Sequence, residues 1–455
     1  MKPHLIPALA VFVAIGTAGA AGRELPLVDA ARNADRDGLR ALLTRGASVN
    51  AAEEDGTTAL HWASYRDDVE SAGLLIRAGA DVNAANDLGA TPLWTASLNG
   101  SAAMVRTLLE AGAHPNLALL SGETPLMIAA RSGNPEVVAQ LLGRGASVNA
   151  RAARGQTALM WAVAQKHAEV VKVLLAHGAD VHVRSAVWSQ VMAVPPHGLL
   201  EYNRTIPHGG DTALMFAARV GDIVSATRLV AAGANVNDAD AWGVSAMVLA
   251  AHAGHGALVE FLLEKGADPN SDAAGFTALH TAIMRRDERT VAALLARGAN
   301  PNRAVRSWTP TRRASNDFNF PPALVGATPF WLAARFSQPG VMRLLLAHGA
   351  DPLYVHRVDY GTERGERRRE ATTALMAAAG MGGGVAWVQP ARAQREALTL
   401  EAVTLALELR IDVNAANVDG RTALDAAEAV GYDAVVDLLV EKGATGGTDT
   451  KGSGR

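Results

Sequence analysis

Cysteine is absent from the 455 residues of this chain. Its absence excludes a structural disulfide, a zinc site built on thiolates, a cysteine nucleophile and a lipid-modified cysteine. The fold must therefore be stabilised by packing alone.

The chain also lacks a strong charge of either sign. Its formal net charge is −3, only 19% of its residues are charged, and 49% are hydrophobic. Such a composition is typical of a foldable, soluble protein, and it provides no global field that would attract nucleic acid or an anionic membrane. We therefore expect no nucleic-acid partner.

Sequence patterns typical of enzymes are missing as well: a nucleophile elbow, a Walker loop, an HExxH helix and a dinucleotide-binding glycine pattern. The glycine-rich stretch 380–384 lacks the Lys-Ser/Thr pair of a phosphate loop, so we interpret it as a flexible turn. His252 and His255 have no third ligand nearby in sequence, which favours a structural role over a metal site. We expect no catalytic residue, no cofactor and no metal.

Long apolar runs are absent except near the start, where Leu5 to Ile15 follows the basic Lys2 and precedes the small residues Ala18-Gly19-Ala20. This order is typical of a secretory signal peptide, predicted over residues 1–20. The alternative is an uncleaved anchor, but the run is short against the ~20 residues that span a bilayer. We expect export, to the periplasm if the signal is bacterial, with no membrane span after cleavage.

A repeat organises the remaining sequence. A threonine followed by Ala or Pro and an apolar residue recurs along the chain, and its first four occurrences are evenly spaced. A Gly that begins a "GAD"-like exit follows almost every one at a fixed interval, as Gly79 follows Thr58 and Gly112 follows Thr91. The threonines are Thr58, Thr91, Thr124, Thr157, Thr212, Thr277, Thr328, Thr373 and Thr422, with Ser245 standing in once.

The repeat that starts at Thr124 shows why these residues recur. Its hydroxyl can cap a helix N-terminus, and Pro125 suits the first helical position, where no backbone donor is needed. Apolar residues at helical spacing predict a short inner helix and then a second helix beyond Pro135. Gly145 would end the second helix in a left-handed conformation.

These units resemble the ankyrin repeat, through openings such as Thr91-Pro92-Leu93 and Thr328-Pro329-Phe330 and the exit Gly79-Ala80-Asp81-Val82-Asn83. The resemblance covers residues 25–444 and implies an all-α solenoid of about eleven helix-turn-helix units with β-hairpin-like fingers along one edge, without implying a reaction. It also implies that His61 and His280 tie neighbouring loops together by hydrogen bonds. We expect Trp94, Trp161 and Trp331 to pack between repeats.

Both ends of this array and one repeat near the C-terminus depart from the pattern. Leu25-Pro26-Leu27 replaces the threonine opening and predicts an N-terminal capping unit, and residues 445–455 predict a disordered tail. In the unit of Thr373, an insertion near 381–396 separates the two helices, and Arg410-Ile411 replaces Gly-Ala.

Three further insertions, near 183–210, 303–327 and 354–372, follow the Gly-Ala exit and predict enlarged fingers. The four insertions together contain eight of the 21 aromatic residues, and the three fingers carry eleven arginines against six acids. Since Trp, Tyr and Arg dominate interface hot spots, we interpret the finger edge as a binding surface. The candidate partner-binding residues are Trp188, Tyr202, Arg204, Trp308, Arg312, Arg313, Phe318, Phe320, Tyr354 and Tyr360.

The alternative for these loops is structural: their aromatics could fold back and clip the solenoid. For function, we expect a non-enzymatic scaffold that binds a protein through its concave face and fingers. The alternatives are an accessory subunit of an envelope or stress-response enzyme, and an enzyme whose pocket is built from the insertions. The sequence indicates neither the partner nor the oligomeric state.

Overall fold

A computed structural model describes residues 25–192, 203–309, 318, 320–361 and 366–447 of the chain. Within these residues, twenty-two α-helices follow one another as eleven antiparallel pairs, and two short hairpins interrupt the series. The helices are α1 Pro26–Arg32, α2 Arg36–Thr44, α3 Ala59–Tyr65, α4 Val69–Arg77, α5 Pro92–Asn99, α6 Ala102–Glu110, α7 Pro125–Ser132, α8 Pro135–Gly143, α9 Ala158–Ala164, α10 Ala168–Ala176, α11 Ala213–Val220, α12 Ile223–Ala231, α13 Ala246–Ala253, α14 Gly256–Glu264, α15 Ala278–Arg285, α16 Glu288–Ala296, α17 Pro329–Arg335, α18 Pro339–Ala347, α19 Ala374–Ala378, α20 Arg392–Glu408, α21 Ala423–Val430 and α22 Asp433–Glu441.

The helix boundaries lie where the repeat predicts them. Thr124 accepts a hydrogen bond from the backbone N–H of Met127 at the start of α7, and Pro125 occupies the first helical position. Gly145, just beyond α8, has a φ of 85°, the left-handed value that a Cβ would oppose. The same side-chain cap starts six other first helices, at Thr91, Thr157, Ser245, Thr277, Thr328 and Thr373.

The pairs group into two compact modules. The N-terminal module contains residues 25–186, 211–217 and 224–234, and the C-terminal module contains residues 187–192, 203–210, 218–223 and the described residues from 235 onward. In the first, the inner helices α1, α3, α5, α7 and α9 pack side by side, and so do their outer partners α2 to α10. In the second, α13 to α21 and α14 to α22 do the same. The core of each module lies between these two helical rows, and it is built from Ala, Leu, Val and Met.

A ladder of asparagine side chains joins the loops of consecutive repeats, a feature that the sequence reasoning missed. Asn116, for example, donates to the carbonyl oxygen of Gly145 at 2.9 Å and accepts from the backbone N–H of Ser147 at 2.8 Å. The same rung is formed by Asn50, Asn83, Asn149, Asn237, Asn270, Asn302 and Asn414. Since both polar atoms of each amide are used, one residue per repeat fixes the spacing of two loops.

Two of the four insertions fold as antiparallel hairpins. Strand β1 (Trp188–Met192) pairs with β2 (Arg204–His208), and β3 (His356–Gly361) pairs with β4 (Arg367–Thr372). Both hairpins occupy the finger position between one helix pair and the next, as the sequence predicts. The insertion 303–327 instead ends in a short 3-10 helix, Pro322–Leu324, that precedes α17.

The tenth pair has unusual proportions because of its own insertion. Its inner helix α19 has 5 residues, its outer helix α20 has 17, and residues 379–391 connect them.

After the last pair, Thr445 and Gly447 still bond to Asn414 and Asp425, so ordered contacts extend as far as Gly447 into the segment expected to be disordered. Residues 448–455 and the proposed signal peptide lie outside the described residues. No helix of the described part is long and apolar enough to cross a membrane.

Candidate functional site

The seventh residue after each opening position lies in the last turn of the inner helix, except Gly380, which lies two residues beyond the end of α19. We call the surface formed by these residues and their neighbours the inner-helix groove of each module. In the N-terminal module the row includes Arg32, Tyr65, Leu98 and Arg131, and in the C-terminal module it includes His252, Met284, Arg335 and Gly380. The two grooves are built alike but differ in what covers them.

Aromatic and arginine side chains line the beginning of the N-terminal groove. Arg32 lies over the ring of Trp62, with its guanidinium carbon 5.0 Å from the ring centroid. The rings of Trp62 and Tyr65 meet edge to face at 5.9 Å. Trp62 is buried, whereas Tyr65 is 37% exposed. The helix pair thus holds a tyrosine rigidly at a surface that solvent reaches.

Further along the same groove lies an apolar patch. Ala90, Trp94 and Ile128 form its buried floor, and Leu98, Leu119 and Trp161 pack on this floor while remaining partly accessible. The guanidinium of Arg131 lies 5.6 Å from the centroid of the Trp161 ring. An aromatic ring, aliphatic chains and a cation are therefore presented together, which is the composition of a protein-binding hot spot.

Two exposed leucines, here called the leucine tips, extend this patch onto the fingers. Leu88 is 46% exposed and Leu120 is 82% exposed, and the backbone N–H of Leu120 donates to the carbonyl of Leu88 at 3.0 Å. Sequence reasoning missed them because it searched the enlarged fingers only. No local signal in the sequence marks them: the residue before the finger glycine is apolar in Leu88-Gly89 but also in Trp242-Gly243 and Val325-Gly326, and Leu120 lies two residues before Gly122.

The groove of the C-terminal module is filled by the chain itself. Residues 380–390, here called the strap, run back over the inner helices from α19 toward α13. Arg335 of α17 donates to the carbonyls of Gly382 and Gly384, at 3.0 and 3.4 Å. The N–H of Trp387 donates to the carbonyl of Met284 in α15 at 3.0 Å. The strap thus bonds to two of the groove residues through its backbone.

The glycines of the strap are packed closely, which corrects our interpretation of 380–384 as a flexible turn. A Cβ added at Gly382 would lie 2.9 Å from the Trp331 ring, and one added at Gly384 would lie 2.7 Å from Leu324. At Gly383 the added atom would lie 2.3 Å from the Cβ of Ala323. Glycine occurs here because the backbone lies directly against side chains and because Gly382 and Gly384 have positive φ values of 99° and 81°.

The strap ends in an aromatic cluster that includes two predicted partner-binding residues. Phe320 lies between Phe276 and Trp387, with ring centroids 4.7 and 5.4 Å away, and Phe318 contacts the ring of His252 at 4.1 Å. Phe320 is fully buried and Phe318 is 7% exposed. The prediction that these two phenylalanines face a partner is therefore corrected. Both side chains pack against the repeats and hold the loop to them.

The remaining predicted residues divide into three groups. Trp188 and Arg204 lie exposed on the β1–β2 hairpin, where Trp188 stacks on His208 at 4.4 Å. Three others are half-buried: Trp308, Tyr354, whose hydroxyl donates to Gly326, and Tyr360, whose hydroxyl donates to Glu370. Burial and the Glu370 carboxylate raise the pKa of Tyr360 to about 12. Tyr202, Arg312 and Arg313 lie outside the described residues.

The basic run on β4 is neutralised locally. Arg367 and Arg369 both form ion pairs with Asp359 across the hairpin, at 2.7 and 3.1 Å, and both arginines are about three-quarters exposed. Their side-chain bonds hold the pKa of Asp359 below its ordinary value. This geometry is that of a solvated, internally paired face.

Two buried histidines act as connectors between repeats. His61 accepts the backbone N–H of Thr58 on Nδ1 and bonds the carbonyl of Ala90 in the next repeat through Nε2, at 3.1 and 2.9 Å. His280 does the same with Thr277 and Arg303. Burial lowers the pKa of His61 and lowers the pKa of His280 to about 4. The prediction that these imidazoles tie neighbouring loops together is confirmed.

The helix pairs, capping threonines and inter-repeat histidines agree with what family models find. A model of ankyrin repeats matches three stretches, 27–119, 115–185 and 214–305, and a second ankyrin-repeat model matches 325–357. The chain belongs to the ankyrin repeat family. Ankyrin repeats are generally protein–protein interaction modules, and proteins built from them are typically non-enzymatic. No curated relative matches the chain.

Clusters of metal ligands are absent from the described residues of these ankyrin repeats. Nowhere in that part of the chain do three or more His, Asp or Glu side chains gather as they would around a metal ion. His252 and His255, which the sequence brought into question, have structural contacts: His252 with the rings of Phe318 and Trp387, and His255 with the carbonyl of Arg219.

Proposed function

We propose that this ankyrin repeat protein holds a protein partner through the inner-helix groove and the leucine tips of its N-terminal module. The observation that carries the proposal is the difference in cover between the two grooves. The C-terminal groove is filled by the strap, whereas in the N-terminal module Tyr65, Leu88 and Leu120 remain exposed at 37%, 46% and 82%.

The chemistry of the open groove favours an extended apolar segment of the partner. Trp161, Leu98 and Leu119 offer a partly accessible apolar surface on a rigid floor, so its desolvation on binding is favourable. The guanidinium of Arg131 beside this surface can bond a partner carbonyl or carboxylate. The strap illustrates the same mode, since Arg335 binds backbone carbonyls in the corresponding place.

The β1–β2 hairpin is proposed as a second contact. Val187 and Val191 are 63% and 64% exposed, Trp188 is 44% exposed, and the exposed Arg204 lies opposite Met192 at the other end of the hairpin. Exposed tryptophan, valine and arginine side chains on one short hairpin are uncommon on a surface that contacts only water. Of the enlarged fingers, this one retains the binding role that the sequence suggested.

Site-directed photo-crosslinking tests the proposal. A photoreactive residue is placed at position 120 of the full chain and, as a matched control, at the exposed Val440 of α22. The protein crosslinked only from position 120 is identified by mass spectrometry. Its affinity is then measured for the wild type, Leu120→Asp, Tyr65→Ala and Val440→Asp, each with an unchanged helical circular dichroism spectrum.

The expected result is a loss of affinity of at least about tenfold in Leu120→Asp and Tyr65→Ala, the factor that ~1.4 kcal/mol represents, and none in Val440→Asp. Equal affinity in all four proteins would move the site away from this module. Repeating the measurement with Trp188→Ala decides whether the hairpin contributes. If the captured partner is an envelope enzyme whose activity rises on binding, the accessory-subunit alternative is supported over a passive scaffold.

We also propose that the chain is exported after removal of residues 1–20, on the strength of the basic, apolar and small-residue order of its N-terminus. The mass of the mature chain recovered from the cell envelope tests this directly. A mass that still includes Met1 to Ala20 would contradict cleavage.

A further inference from the structure

A cavity of about 270 Å³ lies in the C-terminal module, below one end of the strap. Its walls come from the ends of α15 and α17, from α20 and α21, and from strap residues Gly384 to Ala386 and Gln389 to Pro390. Three arginines line it, Arg286, Arg335 and Arg395, and no aspartate, glutamate or lysine does. The cavity therefore has a strongly one-sided charge.

None of the three guanidinium groups is neutralised by an ion pair within the described residues. Arg286 donates to the backbone carbonyls of Phe336 and Ser337, and Arg335 donates to two strap carbonyls. The Nε of Arg395 is buried and has no hydrogen-bond partner. Carbonyl dipoles satisfy donors but do not cancel charge, so each guanidinium keeps its full positive charge.

Burial makes this arrangement unfavourable without a counter-charge. It lowers the pKa of both Arg286 and Arg335, and for Arg335 the nearby Glu370 offsets only part of the effect. Charges that are removed from water without a partner are among the most destabilising features of a folded protein. A bound anion would remove that penalty for Arg286 and Arg335 at once.

The hydroxyl groups of the lining are donors as well, and Gln389 adds a side-chain amide that can donate or accept. Ser337 Oγ and Thr399 Oγ1 lie 2.8 Å apart, so one of these hydroxyls donates to the other and the second keeps a proton to give. Tyr432 adds a third hydroxyl to the lining. Convergent guanidinium and hydroxyl donors without an acid are the donor set that phosphate and carboxylate groups require.

The size of the cavity limits the ligand. Its volume is below the ~300–1,000 Å³ of pockets that take drug-sized molecules. A compact ion with two charged ends fits this volume. The apolar part of the lining, Val385, Pro390 and Val430, suits a short carbon skeleton.

We propose that this cavity is a binding site for a compact organic anion with at least two negative charges, either a phosphate monoester or a dicarboxylate. The proposal is independent of the partner surface on the N-terminal module. Because strap residues form one wall, the bound anion also holds the strap against the groove. Arg395 lines the cavity and binds the anion directly, while Arg286 and Arg335 supply charge and keep their backbone bonds.

Calorimetric titration and thermal unfolding of the full chain test the site, with glycerol 2-phosphate and succinate as separate probes at an ionic strength fixed with sodium chloride. The proteins are the wild type, Arg395→Gln and, as a matched control, Arg297→Gln. Arg297 is an exposed arginine of the same module that does not line the cavity. The control removes the same charge without touching the site.

The expected result is saturable binding of at least one probe to the wild type and to Arg297→Gln, with a rise in Tm. In Arg395→Gln the dissociation constant should rise at least about tenfold, as expected when one charge-assisted hydrogen bond is lost. Response to one probe only assigns the site to that class of anion. Binding of neither probe to the wild type, or equal binding to all three proteins, would overturn the proposal.

Two further measurements keep the test decisive. If Arg395→Gln does not fold, Arg395→Lys retains the charge and removes the planar fork, and unchanged affinity there overturns the role of Arg395. Hydrogen exchange at residues 384–390 should slow on binding in the wild type and in Arg297→Gln, but not in Arg395→Gln. Exchange that is insensitive to a bound probe would overturn the contact between the anion and the strap.

Discussion

The N-terminal and C-terminal modules are built from the same helix pair, and yet one groove is open while the other is closed by its own chain. Tyr65 and Leu98 lie at an accessible surface, whereas the corresponding Met284 and Arg335 bond to the strap. The repeat itself therefore does not decide whether a groove is available. That depends on whether spare chain is present to lie in it.

The physical reason lies in chain length. In the N-terminal module, the openings from Thr58 to Thr157 follow one another at a constant interval, which leaves no surplus between helices. The C-terminal module has an insertion between α19 and α20, and lengthening a surface loop raises its closure entropy only slowly. The loop buries Ala386 and packs the half-buried Trp387 against the aromatic cluster, and these contacts offset the entropy lost when the loop becomes ordered.

The largest predicted effect on the difference between the open and the filled groove comes from removing the centre of the aromatic cluster. Phe320→Ala leaves a cavity between Phe276 and Trp387, and substitutions of this kind destabilise by about 3–5 kcal/mol. We expect that loss in urea unfolding, together with faster hydrogen exchange in α15 and in the strap. The exposed Trp188→Ala serves as the control and should change stability by less than about 1 kcal/mol. Similar losses in the two variants would mean that the cluster does not hold the strap.

A second prediction concerns acid, to which both modules should respond because each has a buried neutral histidine. The pKa of His280 is about 4 when folded and 6.5 when exposed, so the unfolded chain binds the extra proton between these values. Stability is therefore complete above pH 6.5 and falls as the pH drops toward 4, by about 3 kcal/mol from this group. Chemical denaturation across this range measures it. His280→Gln should be less stable at pH 7. The slope of its free energy of unfolding against pH should correspond to the uptake of one proton fewer on unfolding. An unchanged slope would contradict the assignment.

The smallest predicted effect comes from lifting the strap without altering the cluster. Gly383→Ala forces a Cβ against Ala323, and overpacking of this kind typically destabilises by about 1–3 kcal/mol. The matched control is Gly143→Ala in α8, where the added atom meets nothing and helix propensity favours alanine by ~0.5–1 kcal/mol. We expect Gly383→Ala to lower the Tm of thermal unfolding and Gly143→Ala to raise it. Destabilisation by both substitutions would remove the argument from close packing.

The repeat, the helix boundaries and the histidine links could be predicted because each follows from a short stretch of sequence. A capping Thr, a Pro at the first helical position and a Gly after the second helix act within one turn, and they recur at a fixed spacing. The leucine tips could not have been found in the same way, because an apolar residue near the finger glycine is not unusual in this chain, as Trp242-Gly243 and Val325-Gly326 show.

The strap and the cavity could not be predicted from this sequence because they depend on contacts without a period. Phe318 and Trp387 meet although they belong to different insertions, and nothing in either loop specifies the other. The same holds for Arg286 and Arg395, whose convergence depends on where the extended α20 begins. Aromatic enrichment indicated that the insertions were important, but burial decided which of their residues were clips.

The asparagine ladder has a consequence for cooperativity. Each rung couples one repeat to the next, and in repeat proteins such nearest-neighbour coupling sets how far unfolding spreads. At two junctions in the described residues, His182 and Leu353 replace the ladder asparagine. Neither side chain forms the inter-repeat hydrogen bonds. The ladder is thus divided into three bonded runs, covering residues 50–180, 237–351 and 414–445. We therefore expect partial unfolding to be limited by these two junctions, so that one run of repeats can unfold while the neighbouring runs remain folded.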